Sequence, residues 1–368
     1  MQNQGGIDKK FLWTLAVLVL FGLLMLLSAS GPFGYQKFND TLYFFKHQLY
    51  FGLLPGLVLF FLFAKLDYRR LIKFAPVIML FSIFLLVLVY IPGIGMHFGG
   101  SNRWVNFGLF TFQPSELVKI GFLIYISAWL EKRSDENNVS NIEKSLVPFL
   151  LVLGIVMGLL IMQPNTGSMA VIVLSALVVY FIAGAPWQWF VGLGFSGVLL
   201  LSLLVMSSSY RARRIEVFLH PSLDTRGLGY HINQAYLAIG SGGLLGLGYG
   251  HSRQKWLYLP EVYGDSIFAV LAEEMGFILT SLFLLLLGYF IYHIFEIARH
   301  APDKFGRFLA VGIGSWIGIQ SVLNIASMLG MAPMTGVTLP FVSYGSSAFV
   351  ALSIATGILF SISKNVKL

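Results

Sequence analysis

Runs of about twenty apolar residues recur from one end of this chain to the other, and that feature limits what it can fold into. A helix needs a run of that length to cross the hydrocarbon of a bilayer. Stretches near 11–30, 48–64, 71–91, 114–130, 146–162, 166–183, 187–207, 265–290, 308–329 and 346–363 qualify. The sequence is 57% hydrophobic and 11% charged, where soluble domains carry about 25% charged residues. It therefore reads as an all-α integral membrane protein with about ten transmembrane helices, residues 1–368 forming one polytopic domain. The run from Phe11 to Ser30 is too long for a signal peptide and stays as the first spanning helix. Cysteine is absent, which excludes a disulfide framework and thiolate chemistry.

Orientation follows from the basic residues. With the N-terminus inside, the inner segments hold Lys9, Lys10, Lys65, Arg69, Arg70, Lys73, Lys132, Arg133, Lys144, Arg299, Lys304, Arg307, Lys364 and Lys367. The short outer loops hold only Lys37, Lys46 and Arg103. This bias places both termini in the cytoplasm. The formal charge of +8 then suggests topology and anionic lipid before nucleic acid.

One long loop, 208–264, falls outside, between helices 7 and 8, and is read as carrying the active-site region. It holds Arg211, Arg213, Arg214, Arg226, Arg253 and Lys255. Such a cluster is either a solvated surface touching lipid headgroups or a site for a phosphate-bearing lipid, since guanidinium forks match phosphate oxygens. Tyr210–Leu219 has the spacing of a short interfacial helix that Pro221 would stop. Gly240–Gly250 is glycine-dense; such backbone can cradle phosphate, but plain flexibility is the simpler role.

Ionisable side chains at membrane depth mark candidate sites. Glu116 and Lys119 lie three apart at the start of a helix, where they either pair with each other or meet substrate. Asp265 follows Gly264 and precedes an apolar run. It reads as an N-cap or as a general base at the membrane boundary, and the two roles are not exclusive, although a carboxylate tied to backbone amides is less basic. Glu273 and Glu274 lie about 12 Å deeper and cannot both face Asp265, so at least one is expected to bond another helix. The seven histidines show no metal-ligand spacing.

Several segments together resemble one family, the SEDS cell-wall polymerases of bacteria. They are Tyr210-Arg-Ala-Arg-Arg-Ile-Glu-Val-Phe-Leu219, the stretch from Gly229 to Gly243, Ser252-Arg-Gln-Lys255, Leu259-Pro-Glu261 and Asp265-Ser-Ile-Phe-Ala-Val-Leu-Ala-Glu-Glu274. Gly100-Ser-Asn-Arg-Trp-Val105, Gln113-Pro-Ser-Glu116 and Pro333–Ser347 agree. The loop motif is more like the division member than the elongation member. Two departures bear on loop geometry. Gly264-Asp-Ser stands where the family usually has Thr-Asp-Phe, and Gly345 is single where two glycines are usual.

The resemblance implies a glycosyltransferase that polymerises lipid II, an undecaprenyl-diphosphate-linked disaccharide pentapeptide, at the outer face of the bacterial cytoplasmic membrane. It implies Asp265 as the catalytic residue. Arg211, Arg214, Arg253, Lys255, Glu116, Lys119, Glu261 and Ser343 are carried as candidate substrate contacts. No tightly bound cofactor is implied, with room for Mg2+ or Mn2+ at the substrate diphosphate. The partners implied are a class B penicillin-binding transpeptidase and other division proteins. A lipid II flippase, a non-catalytic division scaffold and an elongation-type polymerase are the alternatives.

Overall fold

The computed structural model describes residues 8–98, 101–106, 108, 111–206, 209–220, 223–224 and 227–366. Gly100, Pro221, Arg226 and Lys367, invoked above, lie outside the described residues. Helices occupy every stretch that the apolar runs mark. In chain order they are α1 (Lys9–Phe38), α2 (Tyr43–His47), a π-helical turn (Gln48–Leu53), α3 (Leu54–Lys65), α4 (Arg70–Leu88) and α5 (Pro114–Asp135). A second π-helical turn (Ile142–Leu146) leads into α6 (Val147–Met162), followed by α7 (Thr166–Ile182) and α8 (Trp187–Met206). Then come α9 (Ser209–Leu219), α10 (Leu228–Ser241), α11 (Ile267–Arg299), α12 (Lys304–Met328) and α13 (Ser346–Ser363). Among the described residues seven helices are long and apolar enough to cross a membrane, and Thr166–Ile182 and Trp187–Leu200 are shorter apolar helices.

Burial separates an axis from a periphery. The apolar windows of α12 and α13 are 72% and 83% buried, whereas α1 and α4 each bury 33% and turn the rest outward. Outward Leu, Val and Phe side chains such as Leu20, Val77, Phe81 and Val198 suit hydrocarbon, not water. Close approach at the axis depends on small residues. A Cβ on Gly56 would lie 2.6 Å from the Ser353 hydroxyl, and one on Gly357 2.6 Å from the Phe60 carbonyl, so α3 and α13 meet almost backbone to backbone.

Two features were not expected. A three-stranded antiparallel sheet, β1 (Gly95–Phe98), β2 (Ser101–Asn106) and β3 (Thr111–Phe112), replaces the plain outer loop before α5, so the chain is not strictly all-α. Its cue is the glycine pair Gly99-Gly100 between two flanking runs. The long polar loop also carries a second helix. Besides α9 it contains α10, whose start is fixed by Asp224 accepting from the Gly227 and Leu228 amides at 2.9 and 3.2 Å, and whose buried face is Ile232, Ala235 and Ala238.

The helix that follows is broken. Gly276 interrupts α11 with φ 68° and ψ −177°, a conformation that costs other residues dearly. The break strands carbonyls and amides that have no water to turn to. The glycine-dense turn splints them. Leu247 and Gly248 donate to the carbonyls of Glu273 and Glu274, each at 3.0 Å, while Phe277 and Ile278 donate to Gly243 and Leu244 at 2.9 and 3.1 Å. A Cβ on Gly246 would sit 2.2 Å from the Glu274 carbonyl. These glycines therefore serve close backbone approach, which corrects the flexibility reading.

Candidate active site

Asp265 sits on a tight turn immediately before α11. The Glu261 carbonyl accepts from the amides of Gly264 (2.9 Å) and Ser266 (3.3 Å), with Glu261 itself at φ 48°. Two neighbours hold the turn in place. Asn324 on α12 donates through Nδ2 to the Asp265 carbonyl and to the Val337 carbonyl, both at 2.8 Å. Tyr344 donates its amide to the Tyr263 carbonyl at 2.8 Å. The Tyr263 ring stacks on Phe44 at 4.2 Å and meets Tyr344 edge-on at 5.7 Å. The 333–347 motif is thus drawn against the turn that carries Asp265.

The capping reading of Asp265 does not hold. Ser266 occupies the N-cap of α11, and the helix has no side-chain cap bond. The carboxyl instead lies in a largely desolvated position, which pushes its pKa up to about 7; the nearby Glu261 charge adds to the rise, while Ser266 and Arg214 oppose it. A carboxylate half-ionised near neutral pH suits a general base.

The remaining candidates divide sharply. The Arg214 charge lowers the Asp265 pKa slightly against the larger rise from burial, and its guanidinium donates to the Met334 carbonyl at 2.9 Å. Arg211 donates to the Ile161 carbonyl at 3.0 Å. Arg253 is exposed, and its backbone amide, not its guanidinium, is held, by Glu273 at 3.0 Å. Glu261 is exposed next to Asp265.

Lys255 is corrected from substrate ligand to internal anchor. Its Nζ donates to Glu274 (2.8 Å), the Gly250 carbonyl (2.8 Å) and Ser28 (3.0 Å), so all three protons are used. Glu274 also accepts from Ser28, at 2.7 Å, which ties α1 to α11. Glu273 accepts from Ser252 Oγ at 2.5 Å and from the amides of Arg253 and Gln254 at 3.0 and 3.3 Å. Both bond another helix, Glu274 through Ser28 of α1 and Glu273 through Ser241 of α10 at 3.3 Å, and both bind the 252–255 loop.

Glu116 and Lys119 take the structural alternative. They pair at 2.9 Å, with side chains only 7% and 2% exposed. Lys119 donates onward to Gln320 Oε1 at 2.7 Å, which also accepts from Trp316 at 2.8 Å. Ser343 is likewise committed, its hydroxyl accepting from the Leu339 amide at 2.7 Å. Sequence reasoning missed Asn324, Gln320 and His231. None lies in a motif quoted for chemistry except His231, and polar residues in apolar helices were the available signal for the other two. Among the described residues no group of three His, Asp or Glu converges that could cage a divalent cation.

Fold and site together define a multi-pass membrane protein with a carboxyl of raised pKa, Asp265, on the turn just before a spanning helix. That is the class. The chain belongs to the family described as Cell cycle protein (FtsW, RodA, SpoVE), whose profile matches residues 9–368. It is similar to Stage V sporulation protein E of Bacillus subtilis (strain 168), at 40% identity over 95% of this chain and 94% of that protein. It is also similar to a probable peptidoglycan glycosyltransferase FtsW of Geobacter sp. (strain M18), at 36% identity over 100% and 99%. Among solved structures it resembles a chain from a peptidoglycan synthase complex coordinating polymerization and crosslinking, with TM-score 0.79 and 27% identity over 97% and 98%. Thermus thermophilus RodA gives TM-score 0.71 and 27% identity over 99% and 98%.

Proposed function

We propose that this chain is a peptidoglycan glycosyltransferase that polymerises lipid II, with Asp265 as its general base. The observation that carries the assignment is the position of Asp265. It lies on the turn just before α11, where desolvation and the Glu261 charge push its pKa up to about 7, in the motif where the family resemblance puts the catalytic residue. Asp265 takes the proton from the C4 hydroxyl of the acceptor N-acetylglucosamine. That oxygen attacks C1 of the donor N-acetylmuramic acid, the C1–O bond to undecaprenyl diphosphate breaks, and the diphosphate leaves. One displacement inverts C1, so a second carboxylate is unnecessary.

Base catalysis contributes about 10² to 10⁴-fold; positioning and stabilisation of the leaving diphosphate supply much of the rest. Arg214, whose charge acts on the base, and Arg253, exposed on the anchored loop, are the candidates for that diphosphate. Lys255 is not, because its three protons are used inside the protein, and Lys119 is buried in its pair with Glu116. The buried Glu273 and Glu274 are committed to the 252–255 loop, which removes the main support for a polar path through both leaflets and argues against a flippase. FtsW-named relatives favour the division role; the sporulation relative adds a branch that the motifs did not suggest. The partner this reading implies is a class B penicillin-binding transpeptidase.

Purified lipid II incubated with the purified protein and its cognate transpeptidase tests the reading. Muramidase-sensitive glycan strands are expected. Translocation of lipid II in vesicles without any polymer would overturn it in favour of the flippase.

A further inference from the structure

A serine at a helix N-cap ordinarily turns its hydroxyl to the free amides of the first turn. Ser266 does not. It is fully buried at the start of α11 with no such bond, and its Oγ lies 2.5 Å from His231 Nε2 and 3.4 Å from Asp265 Oδ1. His231 comes from α10 and is itself buried, so two separate elements of the outer loop meet at the carboxyl.

We infer that His231 and Ser266 are positioning residues for Asp265, forming a hydrogen-bonded brace that fixes the carboxylate for proton abstraction. This rests on the assignment of Asp265 as base. The polarity of the brace follows from donor inventory. A carboxylate only accepts, so the Ser266 hydroxyl donates to Asp265, and its oxygen is then the acceptor for an N–H at His231 Nε2. That tautomer leaves Nδ1 unprotonated.

The same groups could instead carry the proton away, from Asp265 through Ser266 to His231. Magnitudes decide against it. Burial holds His231 down at about 4, whereas Asp265 stands at about 7, so protonating the imidazole at the expense of the carboxyl is disfavoured by about a thousandfold. The histidine stays neutral and the brace orients. The other ionisable groups that face Asp265 are Glu261 and Tyr263 on its own turn and Arg214 on α9; α12 and the 333–347 segment offer it the neutral Asn324 and Gly336.

The test is lipid II polymerisation by the full-length protein with its cognate transpeptidase, read as kcat, KM and the acidic limb of the pH–rate profile. Wild type is compared with Ser266→Ala, Ser266→Phe, His231→Leu, His231→Gln and Asp265→Asn, each with a thermal melt. Ser266→Ala and His231→Leu are expected to lower kcat by about three- to tenfold with KM little changed, the range that one modest hydrogen bond covers. Both are expected to move the acidic limb upward, Ser266→Ala because the carboxylate loses its donor and His231→Leu because that donor loses the N–H that fixes it. His231→Gln, which can still donate to Ser266, is expected to recover most of the rate. If Ser266→Ala and His231→Leu keep the wild-type kcat and limb while Asp265→Asn is dead, the brace is refuted and the base assignment stands. If Asp265→Asn is active, the base assignment falls and takes the brace with it. Should His231→Leu fail to fold, Ser266→Ala alone decides.

Discussion

Replacing Lys255 by Met separates the two roles that a basic residue in the outer loop can have. The lysine is 5% exposed and its partner Glu274 is fully buried, at 2.8 Å. Breaking such a pair from one side leaves an uncompensated buried charge, which costs about 3–5 kcal/mol. Ser28 and the Ser252 amide still donate to Glu274, which places the loss toward the lower end. Neutralising the carboxylate as well removes the orphaned charge, so Lys255→Met with Glu274→Gln should be less destabilised than Lys255→Met alone, with a coupling of about 1–3 kcal/mol. Unfolding of the four proteins in detergent, followed by denaturant or heat, measures the cycle. Lipid II KM is measured beside it on the variants that stay folded. A Lys255→Met protein that melts like wild type but binds lipid II poorly would refute the anchor and restore Lys255 as a diphosphate ligand.

Further outcomes follow from the same geometry. Gly276→Ala should destabilise by about 2–5 kcal/mol, from a residue forced into left-handed backbone and overpacking, because its Cβ would meet the Gly246 amide at 2.1 Å; a melt checks it, and Gly288→Ala, which meets nothing within 4 Å, is the control. Asn324→Leu leaves the carbonyls of Asp265 and Val337 without their shared donor, and polymerisation should fall by about 10²-fold through misplacement of the base. Asp265→Asn should gain stability with pH. The folded carboxyl titrates near 7 and the unfolded one near 3.8, so wild type holds its proton-linked stability below 3.8 and loses it as pH rises to about 7. The variant lacks that loss, and its advantage in a pH series of melts should grow over that window to a few kcal/mol and level off above it.

The scaffold was legible because the bilayer allows few solutions. An apolar run of spanning length must be helical, and a helix fills each run that was marked. The Glu116–Lys119 pair was legible from its three-residue spacing, since neighbours at that interval share a helix face. Other features were hidden for definite reasons. Lys255 and Arg253 belong to one motif and carry the same charge, yet the two Glu carboxylates that bury the first leave the second exposed. Those carboxylates lie some twenty residues away in sequence, where no local pattern reports them. The splinting role of Gly243–Gly248 depends on a break in α11 that an uninterrupted apolar pattern conceals. The capping role of Asp265 was a local inference that Ser266, one residue on, displaces. Its clamp, Asn324, comes from another helix altogether.

The central claim is that Asp265 is the base, and its most direct test is glycan polymerisation by Asp265→Asn. The substitution keeps the size of the side chain and removes only its basicity. Alongside wild type, with purified lipid II and the cognate transpeptidase, the account predicts a protein that melts at or above the wild-type temperature and makes no polymer. Polymer formed by Asp265→Asn near the wild-type rate would contradict it.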